Sequence, residues 1–336
     1  MQIKDGHSGH LDHANLRDER RIIAVVANRR TKGVQGCGSI MIKDIVANLS
    51  VGISRDVATE FAVSAAATFD SHLTGIAFRY EPLVPLTDRY GFPAEVMDSQ
   101  RVENEKRAKA AMAAFDEAAR RAAVSAQSCM LDVPVASAPD VFAKVARRFD
   151  LAIMGQPEPD TPALERLLVE AALFDSGRPV LVAPYIQRRG LTLDRVIVAW
   201  DGSRSAARAA ADAIPLLARA KATEVLTVAS EPAKSDEMPG ADIAHLLARH
   251  GVKVEVDSIV TVEIDVASTI LSHAADISAD FLVMGGYGHS RLREFVLGGV
   301  TRGILSSMTV PTLMSHRIPN SQRAQHSSDS FGLQPR

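Results

Sequence analysis

Five glycines in the last sixth of the chain are spaced as in an anion-binding loop. A short apolar run leads into Gly285, Gly286 and Gly288, and Gly298 and Gly299 follow. Glycine lets the backbone approach a ligand closely, and free N–H groups at a helix start attract an anion. A phosphate group is the ligand that this spacing favours. Ordinary turn and packing glycines are the alternative, because the pattern is neither a Walker A loop nor GxGxxG.

A second polar segment, whose side chains could bind a ligand, follows an earlier apolar run and reads Trp200-Asp-Gly-Ser-Arg-Ser205. Its carboxylate, Asp201, is expected to face a crevice and accept hydrogen bonds from a ribose or a base. Capping of the next helix is the alternative role for Asp201, and Ser203 or Ser205 would fill that role equally well.

Two arginines and a histidine lie between the two glycine groups. Arg291 and Arg293 either pair with phosphates or form a solvated face. His289 has no partner at a catalytic spacing, so we expect it to be exposed.

The elements that position these residues alternate along the chain from Ile42 onward. Apolar runs of strand length are followed by amphipathic runs of helix length, one of which is predicted to span residues 205–219. This alternation predicts parallel strands joined by right-handed crossovers, hence a doubly wound α/β sheet. Ligands bind such sheets beyond the carboxyl ends of the strands, where strand order reverses.

The series of strands and helices occurs twice. The segment Asp150-Leu-Ala-Ile-Met-Gly155 matches Asp280-Phe-Leu-Val-Met-Gly285 at an offset of 130 residues. This repeat predicts two domains of the same fold, at residues 41–185 and 191–317.

The first of these domains lacks the features of the second. Leu49 aligns with Asp201, and the proline-containing segment 156–159 replaces the first glycine group and removes N–H donors. The acidic side chains of Glu158 and Asp160 would repel phosphate. The contrast indicates that the glycines of the second domain serve a ligand rather than the fold.

Both ends of the chain differ from the repeated part. Residues 1–40 carry His7, His10 and His13, which could hold a metal on a helix face, but their neighbours are poor helix formers. We expect a disordered tail, or an extension upstream of a start at Met41. Residues 318–336 are rich in serine and are also predicted to be disordered.

Composition excludes several classes of protein. A formal net charge of -2 gives no electrostatic case for nucleic acid. No apolar run approaches the ~18 residues of a spanning helix, so no membrane partner is expected. Two cysteines, Cys37 and Cys129, are too few for a disulfide framework or a zinc site. The cytoplasm is the expected location.

At this point the chain resembles a tandem universal stress protein, with two such domains in residues 41–316. The ATP-binding members of that family carry glycine, two residues, glycine, nine residues, then glycine followed by serine or threonine. Gly285, Gly288 and Gly298 keep this spacing. The segments ending at Ser203 and Pro311 resemble the first and last strands of the family.

The resemblance implies a site for ATP, ADP or AMP, with Mg²⁺ as an optional companion. Asp201 would lie near the ribose, Val228 would line the adenine side, and the three motif glycines would approach the triphosphate. The complete predicted set is Asp201, Val228, Met284, Gly285, Gly288, His289, Gly298, Gly299, Val300 and Thr301.

One departure from the family motif affects the expected affinity. Position 299 is glycine, where ATP-binding members have serine or threonine, so a hydroxyl donor to phosphate is lost. Thr301 could supply a hydroxyl one step into the helix. Losing a charge-assisted hydrogen bond costs roughly 1.5–3 kcal/mol, about 10- to 150-fold in affinity.

The resemblance also implies an architecture and a class of function. Two five-stranded parallel sheets of the adenine-nucleotide alpha-hydrolase type would join through their fifth strands as an intramolecular pseudo-dimer, with a homodimer as a further option. The expected function is nucleotide binding in a stress response without strong catalysis. The alternatives are a nucleotide-independent interaction protein and a weak ATPase.

Overall fold

The computed structural model describes residues 41–52, 56–82, 94–158, 163–230, 238–261, 265–286 and 299–316. The predictions for the two tails, residues 1–40 and 318–336, therefore lie outside the described residues.

The described residues form ten strands and nine α-helices that alternate as the apolar pattern predicts. The strands are β1 Asp44–Asn48, β2 His72–Tyr80, β3 Ala126–Val133, β4 Leu151–Gly155, β5 Val180–Ala183, β6 Arg195–Ala199, β7 Ala222–Ala229, β8 Val254–Val260, β9 Phe281–Gly285 and β10 Thr312–Ser315. The helices are α1 Val57–Phe69, α2 Ala94–Arg121, α3 Ala138–Ala146, α4 Ala163–Asp175, α5 Arg204–Asp212, α6 Ile214–Leu217, α7 Ala241–Arg249, α8 Val266–Asp276 and α9 Gly299–Ser307.

One predicted helix is two helices. The segment predicted as a single helix over residues 205–219 divides into α5 and α6, and Pro215 lies in the first turn of α6. A proline has no N–H to donate and its ring clashes with the preceding turn, so it is tolerated at a helix start but not in a helix interior.

The strands form one sheet in the order β3-β2-β1-β4-β5-β10-β9-β6-β7-β8. Each half is parallel and has the same internal order. The resemblance implies two five-stranded parallel sheets joined through their fifth strands, and the described residues form a single mixed sheet. The reason is the antiparallel pairing of β5 with β10, in which Leu181 is in register with Leu313. This pairing gives hydrogen-bond partners to two edges that would otherwise be open.

Apolar side chains pack against both faces of the sheet. On one face, α1, α2, α5, α6 and α7 cover a core that includes Phe61 and Phe115. On the other, α3, α4, α8 and α9 cover a core that includes Phe142 and Ile304. Burial on both faces explains why the strands read as continuous apolar runs.

Equivalent positions of the two halves meet at the central strand pair. The side-chain amide of Gln156, the residue after β4, donates to the carbonyl of Leu305 at 2.9 Å. Gly286, the residue after β9, lies against Leu173, which is the counterpart of Leu305 in α4. These contacts join the halves beyond the strand pairing itself.

No α-helix in the described ranges is both long enough and apolar enough to cross a bilayer.

Candidate functional site

The carboxyl ends of β6 and β9 meet where strand order reverses in the second half. The two strands are neighbours, and Ala199 is in register with Met284. Asp201 follows β6 and Gly285 ends β9, so the fold brings these two predicted residues to the same edge. In open α/β sheets this reversal is the place where ligands bind.

The turn between β6 and α5 decides between the two roles predicted for Asp201. The hydroxyl of Ser203 accepts a hydrogen bond from the backbone N–H of Ala206 at 3.1 Å, so Ser203 is the helix cap. Asp201 is exposed, and its Oδ1 atom accepts from the N–H of Ser203 at 2.9 Å. Asp201 therefore shapes the turn and does not cap the helix, which leaves its carboxylate at the open edge.

Gly285 lies where α5 makes a close approach to the end of β9. A Cβ atom at this position would be 2.5 Å from the backbone nitrogen of Ala206 and 2.7 Å from the carbonyl carbon of Ser205. The neighbouring Gly286 would bring a Cβ to 2.9 Å from Leu173. Backbone of an adjoining segment therefore occupies the space beside Gly285, so the fold itself favours a glycine there, contrary to the inference that the glycines serve a ligand rather than the fold. At Gly286 the nearest atoms belong to the flexible end of the Leu173 side chain, which can move.

Gly299 contrasts with these two glycines. It is the first residue of α9, it is exposed, and an added Cβ would meet none of the described residues within 4 Å. Its neighbour Thr301 is only 3% exposed. A buried hydroxyl is badly placed for an incoming phosphate, so the structure lends no support to Thr301 as a substitute donor.

The remaining predicted residues are apolar or lie outside the described ranges. Val228 is half-buried near the end of β7, and Val300 is half-buried at the start of α9. Met284 is 4% exposed and belongs to the core beneath α8 and α9. The predictions that fall outside the described residues are those for Gly288, His289, Arg291, Arg293 and Gly298.

The first half has a different surface at the equivalent place, between the ends of β1 and β4. Strand register corrects one sequence alignment: Ile45 pairs with Leu151 as Val196 pairs with Phe281, so Ser50, not Leu49, is the counterpart of Asp201. The error came from a one-residue slip in matching the two first strands.

A cavity at this edge of the first half is acidic. Asp56, Glu158 and Glu165 line it, and the Oδ1 atom of Asn48 is buried there without a hydrogen-bond partner among the described residues. Asp56 caps α1 and accepts from the N–H of Ser50 at 3.1 Å. Such a lining repels a phosphate, in agreement with the contrast drawn from Glu158 in the sequence.

Burial raises the pKa of two of the acids, Asp56 and Glu165. Burial raises the pKa of Asp56, although hydrogen bonds from Thr59 and Ser50 oppose the shift. Burial also raises the pKa of Glu165, and the charges of Glu158 and Asp56 add to the effect. The sequence does signal Asp56, as an acidic residue at a helix start. Only the tertiary structure shows the burial of Glu165.

The raised pKa of Glu165 predicts a stability that depends on pH. Because the folded-state value lies above the unfolded value, the favourable contribution is complete below about pH 4 and is lost as pH rises through the folded-state pKa. We expect Glu165→Gln to stabilise the protein at pH 7, by at most about 1 kcal/mol because the group is half-exposed and screened. Urea unfolding followed by circular dichroism at pH 4 and 7 measures this.

The matched control for this experiment is Glu81→Gln, which changes an exposed carboxylate of the same half. It should leave unfolding unchanged at both pH values. An equal gain from Glu165→Gln at pH 4 and pH 7 would show that charge burial is not the cause.

Part of the sequence is similar to a known protein family. The model of the universal stress protein family matches residues 192–316. The universal stress protein Slr1230 of Synechocystis sp. is 28% identical over 179 residues, which are 49% of this chain and 57% of that relative. The match therefore spans little more than half of the relative's length.

Solved structures extend the likeness in fold to most of the chain. A universal stress protein from Archaeoglobus fulgidus superposes with a TM-score of 0.59 at 16% identity, over 81% of this chain and 96% of its own. The functionally unknown protein PA1789 of Pseudomonas aeruginosa gives 0.50 at 14% identity, over 85% and 96%. These matches agree with an α/β fold built on a large mixed sheet. The sequence match to the universal stress protein family lies in residues 192–316 of this chain.

Proposed function

We propose that residues 191–317 bind an adenine nucleotide and that the chain acts in a cytoplasmic stress response without strong catalysis. The observation that carries the proposal is the meeting of Asp201 and Gly285 at the reversal of strand order. The family match over residues 192–316 and the glycine spacing support ATP, ADP or AMP as the ligand.

The arrangement suggests a role for each part of the edge. The Asp201 carboxylate is exposed and can accept hydrogen bonds from ribose hydroxyl groups. Val228, half-buried at the end of the next strand, offers an apolar wall to the adenine ring. The first N–H groups of a helix have no carbonyl partner within the helix, and the helix dipole favours an anion at the start of α9. Because the motif glycines lie between the start of β9 and the start of α9 in the sequence, the phosphates would lie on this side.

We assign the first half, residues 41–185, to a second domain of the same family with a degenerate site. Its strand order repeats that of the second half, while Glu158 and Glu165 line the place where phosphates would lie. The antiparallel pairing of β5 with β10 supports an intramolecular pseudo-dimer. The two domains would then share one sheet with one nucleotide site.

The test is nucleotide binding to the full chain, with and without Mg²⁺. Trp200 is the only tryptophan and directly precedes Asp201, so its fluorescence should report ligand binding. Acid treatment of the purified protein followed by chromatography should also release any bound nucleotide. Absence of binding at millimolar ATP, with the protein folded, would refute the proposal.

Asp201→Ala is expected to weaken ATP binding by about 10- to 150-fold. The reason is the loss of hydrogen bonds to a charged acceptor, each worth roughly 1.5–3 kcal/mol. The measurement is a titration by calorimetry or by Trp200 fluorescence. Asp276→Ala is the matched control, because Asp276 is exposed at the end of α8, at the opposite edge of the sheet. An equal loss in both variants would point to net charge instead of a contact.

A nucleotide-independent interaction protein is the second candidate. The sheet ends in β3 and β8, whose outer edges have no strand partner among the described residues. Such edges can pair with another chain. If Asp201→Ala and Gly288→Val leave partner binding and stress survival unchanged, the result supports an interaction protein. Nucleotide binding would then not be needed for its role in the cell. If the protein is a weak ATPase, the wild type should release phosphate from ATP faster than either variant does.

A further inference from the structure

Three potential metal ligands converge under α8, away from the nucleotide edge. They are Glu224 of β7, Asp257 of β8 and His273 of α8, and one ligand atom from each lies within 4.8 Å of the other two. His273 Nε2 forms a short contact with Oε1 of Glu224 and lies 4.0 Å from Oδ2 of Asp257. Their side chains are 5%, 16% and 20% exposed for His273, Glu224 and Asp257.

Strand alternation explains why these side chains share one face. Leu226 belongs to the core beneath α8, and Ile259 packs against the same core. Glu224 and Asp257 each precede one of these apolar residues by two positions, so they point toward the same helix. The sheet thus turns two carboxylates toward a helix face that carries a buried histidine.

This placement is energetically unfavourable unless the charges have partners. Removing a carboxylate from water costs several kcal/mol, which a single neighbouring histidine offsets only in good geometry. Two carboxylates converge on one imidazole here. His273 is the cation that the described residues place beside them, so these three side chains together keep a net negative charge even when His273 is protonated, and a divalent cation would balance it.

The first half shows that the fold does not require the two carboxylates. Strand register places Thr74 and Cys129 at the positions equivalent to Glu224 and Asp257. A buried hydroxyl and an exposed thiol there take the place of the two carboxylates. The acidic groups of the second half are thus additions to a layer that packs without them.

We propose that Glu224, Asp257 and His273 bind a divalent transition-metal ion, with Zn²⁺ as the first choice. Imidazole selects zinc and its neighbours over magnesium and calcium, and one imidazole with two carboxylates supplies the three protein ligands of an open zinc site. Tetrahedral zinc needs ligand atoms about 3.4 Å apart, which lies within the spacing of this cluster. The ion replaces the proton shared by His273 and Glu224.

The site is separate from the proposed nucleotide edge. Glu224 lies four residues before Val228 on β7, about 13 Å along the strand. The metal therefore does not contact the phosphates, and it cross-links β7, β8 and α8. Its expected consequence is a metal-dependent rise in thermal stability, because an ion that binds only the folded chain stabilises it by mass action.

The experiment measures Zn²⁺ binding to the full chain by competition with a chromophoric chelator. His7, His10 and His13 are replaced by alanine in every sample, because these sequence neighbours could themselves hold zinc. We expect one Zn²⁺ per chain and a rise in melting temperature on its addition. Co²⁺ substitution should give the visible spectrum of a four-coordinate site with nitrogen and oxygen ligands.

His273→Gln is the discriminating variant, because a glutamine amide can still donate to Glu224 but is a poor metal ligand. It should weaken Zn²⁺ binding by more than about 100-fold, since even outer-shell partners are worth 10- to 100-fold. Glu224→Gln, which keeps a hydrogen bond to the histidine, should do the same if His273→Gln fails to fold. His245→Gln, on the exposed face of α7, should change nothing.

Two results would overturn the proposal. One is Zn²⁺ binding that is unchanged in His273→Gln and Glu224→Gln, and the other is no binding at micromolar Zn²⁺ by folded protein. Either result would mean that the three residues form a cluster of ion pairs that binds no metal. Neither depends on whether the chain binds a nucleotide.

Discussion

Replacing Gly299 by serine is expected to tighten ATP binding by about 10- to 150-fold. The nucleotide-binding pattern that this chain resembles has a hydroxyl at this position, and a hydrogen bond to a charged phosphate is worth roughly 1.5–3 kcal/mol. The described part of the chain leaves room for the change, because none of its atoms lies within 4 Å of a Cβ atom on Gly299. Calorimetric titration of wild type and Gly299→Ser with ATP measures the gain.

The control for this prediction is Gly299→Ala. Alanine and serine both relieve the poor helix propensity of glycine in the first turn of α9, worth up to about 1 kcal/mol in a helix interior. Only serine adds a donor to the phosphate. A similar gain from both variants would assign the effect to helix stability, and no gain from either would count against phosphate binding at the start of α9.

Gly285→Ala is expected to destabilise the second half by about 1–3 kcal/mol or more, as overpacking of a filled interior does. The added methyl group would be 2.5 Å from the backbone nitrogen of Ala206, and backbone cannot rotate away as a side chain can. Either β9 or α5 must shift. Urea unfolding followed by the fluorescence of Trp200, between β6 and α5, should show an earlier transition.

The repeat supplies a matched control at the equivalent position of the first half. A methyl group on Gly155 would meet only the Cβ atom of Ala58, at an ordinary contact distance of 3.8 Å. Gly155→Ala should therefore change the unfolding free energy by no more than about 0.5 kcal/mol. Equal effects of the two substitutions would mean that Gly285 is not tied to α5.

The two glycine predictions separate two roles that the motif combines. Gly285 permits close packing of a helix on a strand end, and its replacement acts on folding. Gly299 leaves open space at a helix start, and its replacement acts on binding. The glycines of one nucleotide-binding motif can therefore be required for different physical reasons at different positions.

Much of the fold follows from local signals in the sequence. Continuous apolar runs predict strands buried on both faces, and their alternation with helices predicts parallel pairing. The offset of 130 residues between Asp150 and Asp280 predicts a repeat, and the two halves share one strand order. Boundaries were less accurate: Pro215 divides one predicted helix into two.

The candidate site was predictable where its residues sit at the ends of strands. Asp201 and Gly285 follow apolar runs, and the rule that strand ends share an edge brings them together. The sequence does not show which of Asp201, Ser203 and Ser205 caps α5, because all three side chains can accept a hydrogen bond from a helix N–H. Only the hydrogen bond from Ala206 to Ser203 decides it.

The set of elements, the two similar series of strands and helices, and the edge of the sheet at which a ligand would lie can be read from the sequence, because they depend on apolar periodicity and chain order. The antiparallel register of β5 with β10, the packing of α5 beside Gly285, and the convergence of Glu224, Asp257 and His273 are visible only in the folded protein. Each of these facts joins residues far apart in the chain. Distances between such residues are set by packing, which no local pattern encodes.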